Sequence, residues 1–488
     1  MFRSMKTRIF DLLDTVSDMV EEMRTLSDRR GAISDCLGAI EAISAQLEEE
    51  ETAPGRTVDK LIHLQAMFKD LYAEGAFVND KSVALLRKLV RDLQTTLRVE
   101  IKPKLNVVFF PYKASMWDSL ESVYEAAAND PDCVAQVVPI PYYQLSQDGA
   151  VPAYEGELFP AHIPVTHFNE YSLEAEQPDI IFVHNIYDQY NTLTRVHEHF
   201  FTSNLKQYTD MLVYVPYHVS SFVPPTESDS RLAYDIPGIK NIDKVILVNE
   251  FLKQGALRQG VPKEKLLVLG SPKFDALVKA MNNEIDYPIE WVERIQGKRV
   301  YLINTPVLMF ANNLFNRLET LINFLNIPTV DPNSIVIWRP HPLTQASIKQ
   351  YSPFFMEYYV RLTSSIRNRD PLYRHIILDE SADYIPALKA ADVIISNVGS
   401  LLRSFLLTEK KVLFWGSSMP EGSLIPNNAF YYAFDEQEPW FDLIKKFSEG
   451  YDPLAENRKG MAKKAYVNTD GSSGAKVYQT IKERVLKK

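Results

Sequence analysis

Only two cysteines, Cys36 and Cys133, occur in 488 residues, so neither a disulfide framework nor a thiolate metal site is expected. Glycine is scarce too, 18 residues in all, roughly half the usual share. No G-x-G-x-x-G follows a strand and no P-loop is present, which argues against a dinucleotide oxidoreductase or a P-loop kinase. H-E-x-x-H and G-x-S-x-G are absent. No apolar run approaches the roughly 18 residues that a spanning helix needs. Charges recur every few residues from Met1 to Asp18, so no signal peptide is expected. The expected setting is cytoplasmic and reducing, with at most peripheral contact at the inner face of a membrane. Positive charge is also in deficit: the net charge is −10, which argues against nucleic acid as a partner. Apolar content of 46% and charged content of 24% are those of a globular protein, and the length suggests two or three domains.

The first hundred residues read as helix. Ile9, Leu12, Val16, Met19, Met23 and Leu26 recur at alternating spacings of three and four, a narrow apolar seam. A second seam runs through Ile33, Leu37, Ile40, Ile43 and Leu47. It ends in the acidic run Glu48 to Glu51, and Thr52-Ala53-Pro54-Gly55 signals a loop. Third and fourth helices are expected over Val58–Leu71 and Lys81–Leu97. An antiparallel hairpin or bundle is the simplest reading of this helical, coiled-coil-like region, residues 1–100. Homo-oligomerisation through it, or peripheral membrane docking led by Phe2–Leu26, is the alternative.

At Ile101-Lys102-Pro103-Lys104 the texture changes to short apolar runs alternating with helical segments, as in parallel α/β sheets. Leu105–Phe110, Val134–Ile140, Asp179–Val183, Met211–Val215, Lys244–Val248 and Leu266–Leu269 form one series of strands. Arg299–Ile303, Ser334–Trp338, His375–Leu378, Val393–Ser396 and Val412–Trp415 form a second. Met281–Lys298, with Tyr287-Pro288, connects them. This gives an α/β chain: a Rossmann-like domain over 104–285, another over 290–445, and C-terminal helices over 446–488 that pack back across both. Two such sheets face a crevice at the carboxyl ends of their strands, where ligands bind.

Several motifs fall at those ends. In Ile337-Trp338-Arg339-Pro340-His341-Pro342, two prolines stop a strand and place Arg339 and His341 toward the crevice. A guanidinium grips phosphate bidentately and an imidazole can donate to it. A plain strand-ending turn is the alternative. In Ser396-Asn397-Val398-Gly399-Ser400 a strand passes through a small polar turn into a helix, offering free N–H groups and hydroxyls to an anion. Ser400 as a simple N-cap is the alternative. Gly270-Ser271-Pro272-Lys273-Phe274-Asp275 offers Lys273 to donor charge, with Asp275 capping the next helix or orienting a cation. His218, just past Met211–Val215, suits a general base. Lys113, Ser115, Trp117 and Asp118, after the first strand, fall at the corresponding end of the first sheet and are candidates for the side of the crevice that takes a second substrate. His197-Glu198-His199 lacks a third ligand, so no metal is expected.

Taken in order, the first-domain His, G-x-P-x-x-D, R-x-H-P and the strand with its small-residue phosphate turn resemble the CDP-glycerol glycerophosphotransferase family of teichoic acid synthesis. Phe109–Tyr143 resembles a branch of that family with an N-terminal helical extension. The resemblance spans roughly 105–485. It implies a GT-B fold, without cofactor or metal, that moves glycerol phosphate or a similar polyol phosphate from a CDP-alcohol to an acceptor hydroxyl, releasing CMP. The acceptor would be a lipid-linked or glycan chain of a bacterial cell-surface polymer. His218 matches the proposed base, and Arg339 and His341 match the pair that contacts the donor phosphates. Gly399 and Ser400 stand where the family has paired serines, and Asn397 where it has an aspartate. A GT-B glycosyltransferase using a nucleotide-sugar keeps the same crevice. A catalytically degenerate scaffold is the non-enzymatic alternative.

Overall fold

The computed structural model describes residues 1–49, 55–146, 149–219, 236–284, 286–311 and 314–487. The chain divides into two compact units, one built on 1–106 with two short later segments, the other holding the rest.

The first unit is a four-helix bundle: α1 Arg3–Glu22, α2 Arg29–Glu49, α3 Gly55–Ala73 and α4 Asp80–Glu100. Buried residues recur at alternating spacings of three and four, such as Ile9, Leu13, Val16, Val20 and Met23 along and just past α1, or Val83, Leu86, Val90, Leu93 and Leu97 in α4. That spacing keeps one seam turned inward over several turns. The seam differs slightly from the sequence expectation. Leu13, Val20 and Cys36 are the buried positions, while Leu12, Met19 and Leu37 flank it partly exposed. In α1 and α2 two adjacent apolar residues compete for one seam position, and sequence spacing alone does not rank them. At the start of α4, Asn79 Oδ1 accepts from the Lys81 and Ser82 amides at 3.0 Å, while Ser82 Oγ accepts from the Asn79 amide. This reciprocal cap satisfies amides that the helix itself leaves unbonded. The loop expected over Thr52–Pro54 lies outside the described residues.

The second unit carries three sheets. Its strands are β1 Leu105–Phe110, β2 Cys133–Val137, β3 Tyr142–Ser146, β4 Gly149–Ala153, β5 Ile180–Val183, β6 Thr194–Val196, β7 Met211–Tyr214, β8 Lys244–Leu247, β9 Leu266–Val268, β10 Arg299–Thr305, β11 Ser334–Pro340, β12 Ile376–Leu378, β13 Val393–Ser396, β14 Lys411–Phe414 and β15 Tyr431–Tyr432. The first sheet runs β2-β1-β5-β7-β8-β9 and the second β12-β11-β10-β13-β14-β15. The second is parallel throughout. Both of its faces are covered. Leu302, Ile337 and Ile394 enter one core, and Tyr301, Ile303, Trp338 and Ile395 the other. Burial on both faces is why these strands read as unbroken apolar runs. In each sheet the strand order reverses beside the first strand, between β1 and β5 and between β10 and β13. Such switch points open a crevice at the strands' carboxyl ends.

β11 continues through Arg339 and Pro340 instead of stopping at Trp338. A proline inside a sheet normally forfeits a ladder bond. Here the Val336 amide bonds to His375 O on the β12 side, and Pro340 falls in the same alternation beyond Leu378, the last residue of β12. The missing N–H therefore falls past the paired residues of β12.

A small antiparallel sheet, β4-β3-β6, was not foreseen. At the C-terminal side, helix Trp440–Ser448 packs into the second sheet's core, and helix Ser473–Leu486 packs on helix Glu121–Ala128 beside the first. Asp275 joins the two: its carboxylate accepts from the Ser473 and Gly474 amides at 3.1 and 2.7 Å.

Candidate active site

The loop after β1 is held from below by a histidine absent from the sequence reading. His184 follows β5 and is fully buried. Its Nε2 accepts from the Tyr112 amide at 3.0 Å, and its Nδ1 lies 3.1 Å from Ser119 Oγ. An imidazole fixed this way is neutral, and burial depresses its pKa to about 3. From the other side, Lys113 donates to Glu155 at 2.5 Å and to Tyr142 at 2.8 Å, while the Ala114 amide donates to Glu155. Asp118 accepts from Lys273 through both oxygens at 2.6 Å. Trp117 turns into the core against Tyr124 and Phe159, so the acceptor-side role expected of it does not fit its position.

These ties present Ser115 and Met116 to a cavity of about 270 Å³. Tyr217, His218 and Lys273 complete its wall on the first sheet's side. Asn304, His341, Tyr384 and Ser400 are among the residues facing them from the second. The cavity therefore gathers His218, His341, Lys273, Gly399, Ser400 and Ser115 from five separate stretches of the sequence.

The two histidines differ in their hydrogen bonding. His341 Nδ1 accepts from the Leu343 amide at 3.0 Å. In the neutral ring the proton then sits on Nε2, leaving that nitrogen a donor. Burial, with Arg339 and Lys113 nearby, lowers its pKa to about 4. No hydrogen bond to either His218 nitrogen occurs among the described residues. Burial first, then Arg403 and Lys273, lower its pKa to about 4 as well. At neutral pH His341 thus offers an N–H and His218 an unshared lone pair.

Ser400 does not cap its own helix; Gly399 is the N-cap residue. Its Oγ instead accepts from the Val219 amide at 3.2 Å, which leaves the hydroxyl hydrogen for a ligand. Gly399 has φ −136°, and an added Cβ would meet nothing nearer than Asn304 at 3.6 Å, so the backbone does not demand glycine there. Arg403, unremarked in sequence, sits behind His218, and one of its N–H groups bonds to Val219 O. No carboxylate among the described residues pairs with this guanidinium, and burial disfavours its charge. An anion in the cavity would relieve it.

Four expected donor contacts lie elsewhere. Arg339 borders the cavity, but its guanidinium is turned into the protein, pairing with Asp379 and donating to Ser381 O at 2.8 Å and Asp383 O at 3.2 Å. Its N–H groups hold the 379–384 loop, which carries Tyr384. Ser396 is fully buried, accepting from Asn304 at 3.0 Å and donating to Asn397 O. Asn397 lines a separate cavity with Trp415 and Phe434. Asp275 caps the Ser473 helix. Residue type and a strand-end position suggested ligand contacts for all four, but only the fold shows which way each side chain turns.

No protein-family model matches the chain, and no curated protein matches it in sequence. Solved structures do. A candidate UDP-N-acetylglucosamine 2-epimerase from Listeria monocytogenes superposes with a TM-score of 0.51 at 16% identity, over 79% of this chain and 98% of its own. A variant of the wall teichoic acid polymerase TagF soaked with CDPG superposes at 0.50 and 14% identity, over 83% and 96%. The chain has a GT-B-like fold. At these identities the likeness extends to the fold alone.

Among the described residues no helix is long and apolar enough to cross a membrane, and no three His, Cys, Asp or Glu are grouped to hold a metal ion.

Proposed function

We propose that the protein is a transferase that moves glycerol phosphate, or a similar polyol phosphate, from a CDP-alcohol to an acceptor hydroxyl in the synthesis of a teichoic-acid-like polymer. The observation that carries this reading is the pair of neutral imidazoles, one from each sheet, lining one cavity with complementary nitrogens. The wall teichoic acid polymerase TagF, whose variant was soaked with CDPG, supports the same donor chemistry.

In this reading the acceptor oxygen attacks the phosphorus nearer the polyol. A new P–O bond forms as the bond to the bridging oxygen breaks, and CMP leaves with that electron pair. The acceptor proton passes to His218. Charge growing on the phosphoryl oxygens is met by the His341 N–H, the Ser400 hydroxyl and the field of Arg403; such preplaced donors supply most of the barrier lowering in phosphoryl transfer. An imidazole with a pKa near 4 is a weak base in the empty site. A bound diphosphate raises it toward the working pH, because an adjacent anion favours the protonated form.

Incubating the purified protein with CDP-glycerol and with a panel of sugar nucleotides tests the reading. Release of CMP is expected. Release of a nucleoside diphosphate without CMP would replace it with glycosyl transfer, and no turnover with any donor would favour a binding protein.

A further inference from the structure

A second cavity adjoins the first, sharing Ser115, Pro340, His341 and Pro342 with it. Its floor carries Lys113, Glu155 and Thr344, and its rim Gln144, Gln345 and Glu380. Both charged groups at its base are already paired with each other, Lys113 with Glu155, and Glu380 at the rim is paired with Arg367. An ionic ligand, of either sign, gains little here. Tyr359 is the one six-membered aromatic ring among the described lining residues and is almost wholly buried, so it offers no face to a stacked base. Polar groups without partners do remain. Thr344 is 2% exposed, and its Oγ1 has no hydrogen-bond partner among the described residues; the same holds for Ser115 Oγ at the opening between the two cavities. Buried hydroxyls are normally bonded, and an orphan costs stability.

We infer that this second cavity is the acceptor subsite and takes the uncharged polyhydroxyl end of the acceptor, a polyol or sugar. Thr344 and Gln144 bind its outer hydroxyls, and Ser115 meets the reacting one where the cavities join. The inference rests on the transferase reading above for the identity of the neighbouring cavity, but its chemistry is that of the second cavity itself.

Saturation-transfer NMR on the full chain tests it with ribitol, glycerol 3-phosphate and CMP as separate probes. Ribitol is expected to receive saturation from the wild type. Thr344→Val and Gln144→Leu are each expected to weaken it about fivefold, the worth of one hydrogen bond, with CMP binding unchanged. Thr344→Val removes an orphan hydroxyl at constant shape, so its thermal stability should equal or exceed that of the wild type. Gln144 is exposed, which removes folding as a confounder for the second variant. Absence of ribitol contact, equal contact in the variants, preference for glycerol 3-phosphate, or weakened CMP binding in the variants would each overturn the assignment; the last would give the cavity to the nucleoside. Failure of CMP to bind the wild type would instead count against the donor reading, and the ribitol series would still decide the second cavity.

Discussion

Replacing Asp379 by Asn separates a positioning role for Arg339 from a ligand-binding one. The pair is 6% and 1% exposed by side chain, so the substitution leaves a guanidinium in a dry site without its counter-charge. Breaking a buried pair this way costs about 3–5 kcal/mol. Asn keeps the shape and one carbonyl oxygen, which can still accept from the Ser381 amide as Asp379 does at 3.1 Å. The loss should therefore be electrostatic and local to the 379–384 loop. Hydrogen exchange followed by mass spectrometry reads it directly. Peptides holding the Asp379 amide, bonded to Trp338 O at 2.9 Å, and the Leu388 amide, bonded to Tyr384 O at 3.1 Å, should lose roughly two to nearly four orders of magnitude of protection. The first sheet should be little changed. If exchange and stability stay at the wild-type level while CMP binding is lost, Arg339 contacts the ligand and the positioning account is wrong.

Other outcomes follow from the same geometry. Three histidines, 184, 218 and 341, are held neutral with depressed pKa values of about 3, 4 and 4. The unfolded chain binds protons at these sites below its ordinary pKa of about 6.5 while the folded chain does not. Stability is intact above that value and falls as pH drops toward 4, by up to about 1.4 kcal/mol per pH unit for each histidine; urea titrations from pH 7 to 4.5 measure it. His184→Ala and His184→Phe should both lower stability, since the buried Tyr112 N–H loses its acceptor, and no stability change would exclude the anchoring role. CMP binding should take up protons at pH 6, because the phosphate raises the pKa of His218 and His341; calorimetry in buffers of different ionisation enthalpy detects it, and zero uptake argues that the phosphate binds away from both. Gly270, at φ +91°, has Ser473 Oγ 2.3 Å and Val467 O 2.7 Å from where a Cβ would stand, so Gly270→Ala should cost more than about 1 kcal/mol, read as a lowered unfolding midpoint. In the bundle, Leu64→Ala should destabilise that unit by about 2–5 kcal/mol, checked by its circular dichroism on heating.

The principal sheets were legible because their strands are buried on both faces and leave long apolar runs, as at Leu105–Phe110 and Ser334–Trp338. The small sheet was not. Its outer strand β4 is largely exposed and contains Gly149 and Pro152, which look like turn residues when no buried face marks the alternation. Much of the cavity was found because strand-end histidines and small polar turns are local signals. His184 carries a signal at least as strong as that of His218, since it directly follows the apolar run Ile180–Val183 while His218 stands three residues past Val215. Arg339 could not be placed from sequence: its partner is 40 positions away, and nothing local separates an arginine that binds a ligand from one that braces a loop. Arg403 is the converse case, an arginine in an apolar helical run whose isolation shows only once the charges around it are in place.

The tie from Asp275 to the Ser473 and Gly474 amides has a consequence for the order in which the chain acquires its structure. Helix Ser473–Leu486 covers helix Glu121–Ala128, and an added Cβ at Gly474 would stand 2.2 Å from Ser122 Oγ. The outer layer beside the first sheet is therefore closed by residues synthesised 198 positions after Asp275. On the ribosome, the second sheet can assemble while the first still exposes apolar surface and a buried-type carboxylate without its amides. Domains usually complete in order of synthesis; here the earlier sheet gains its last layer only after the later sheet has been made.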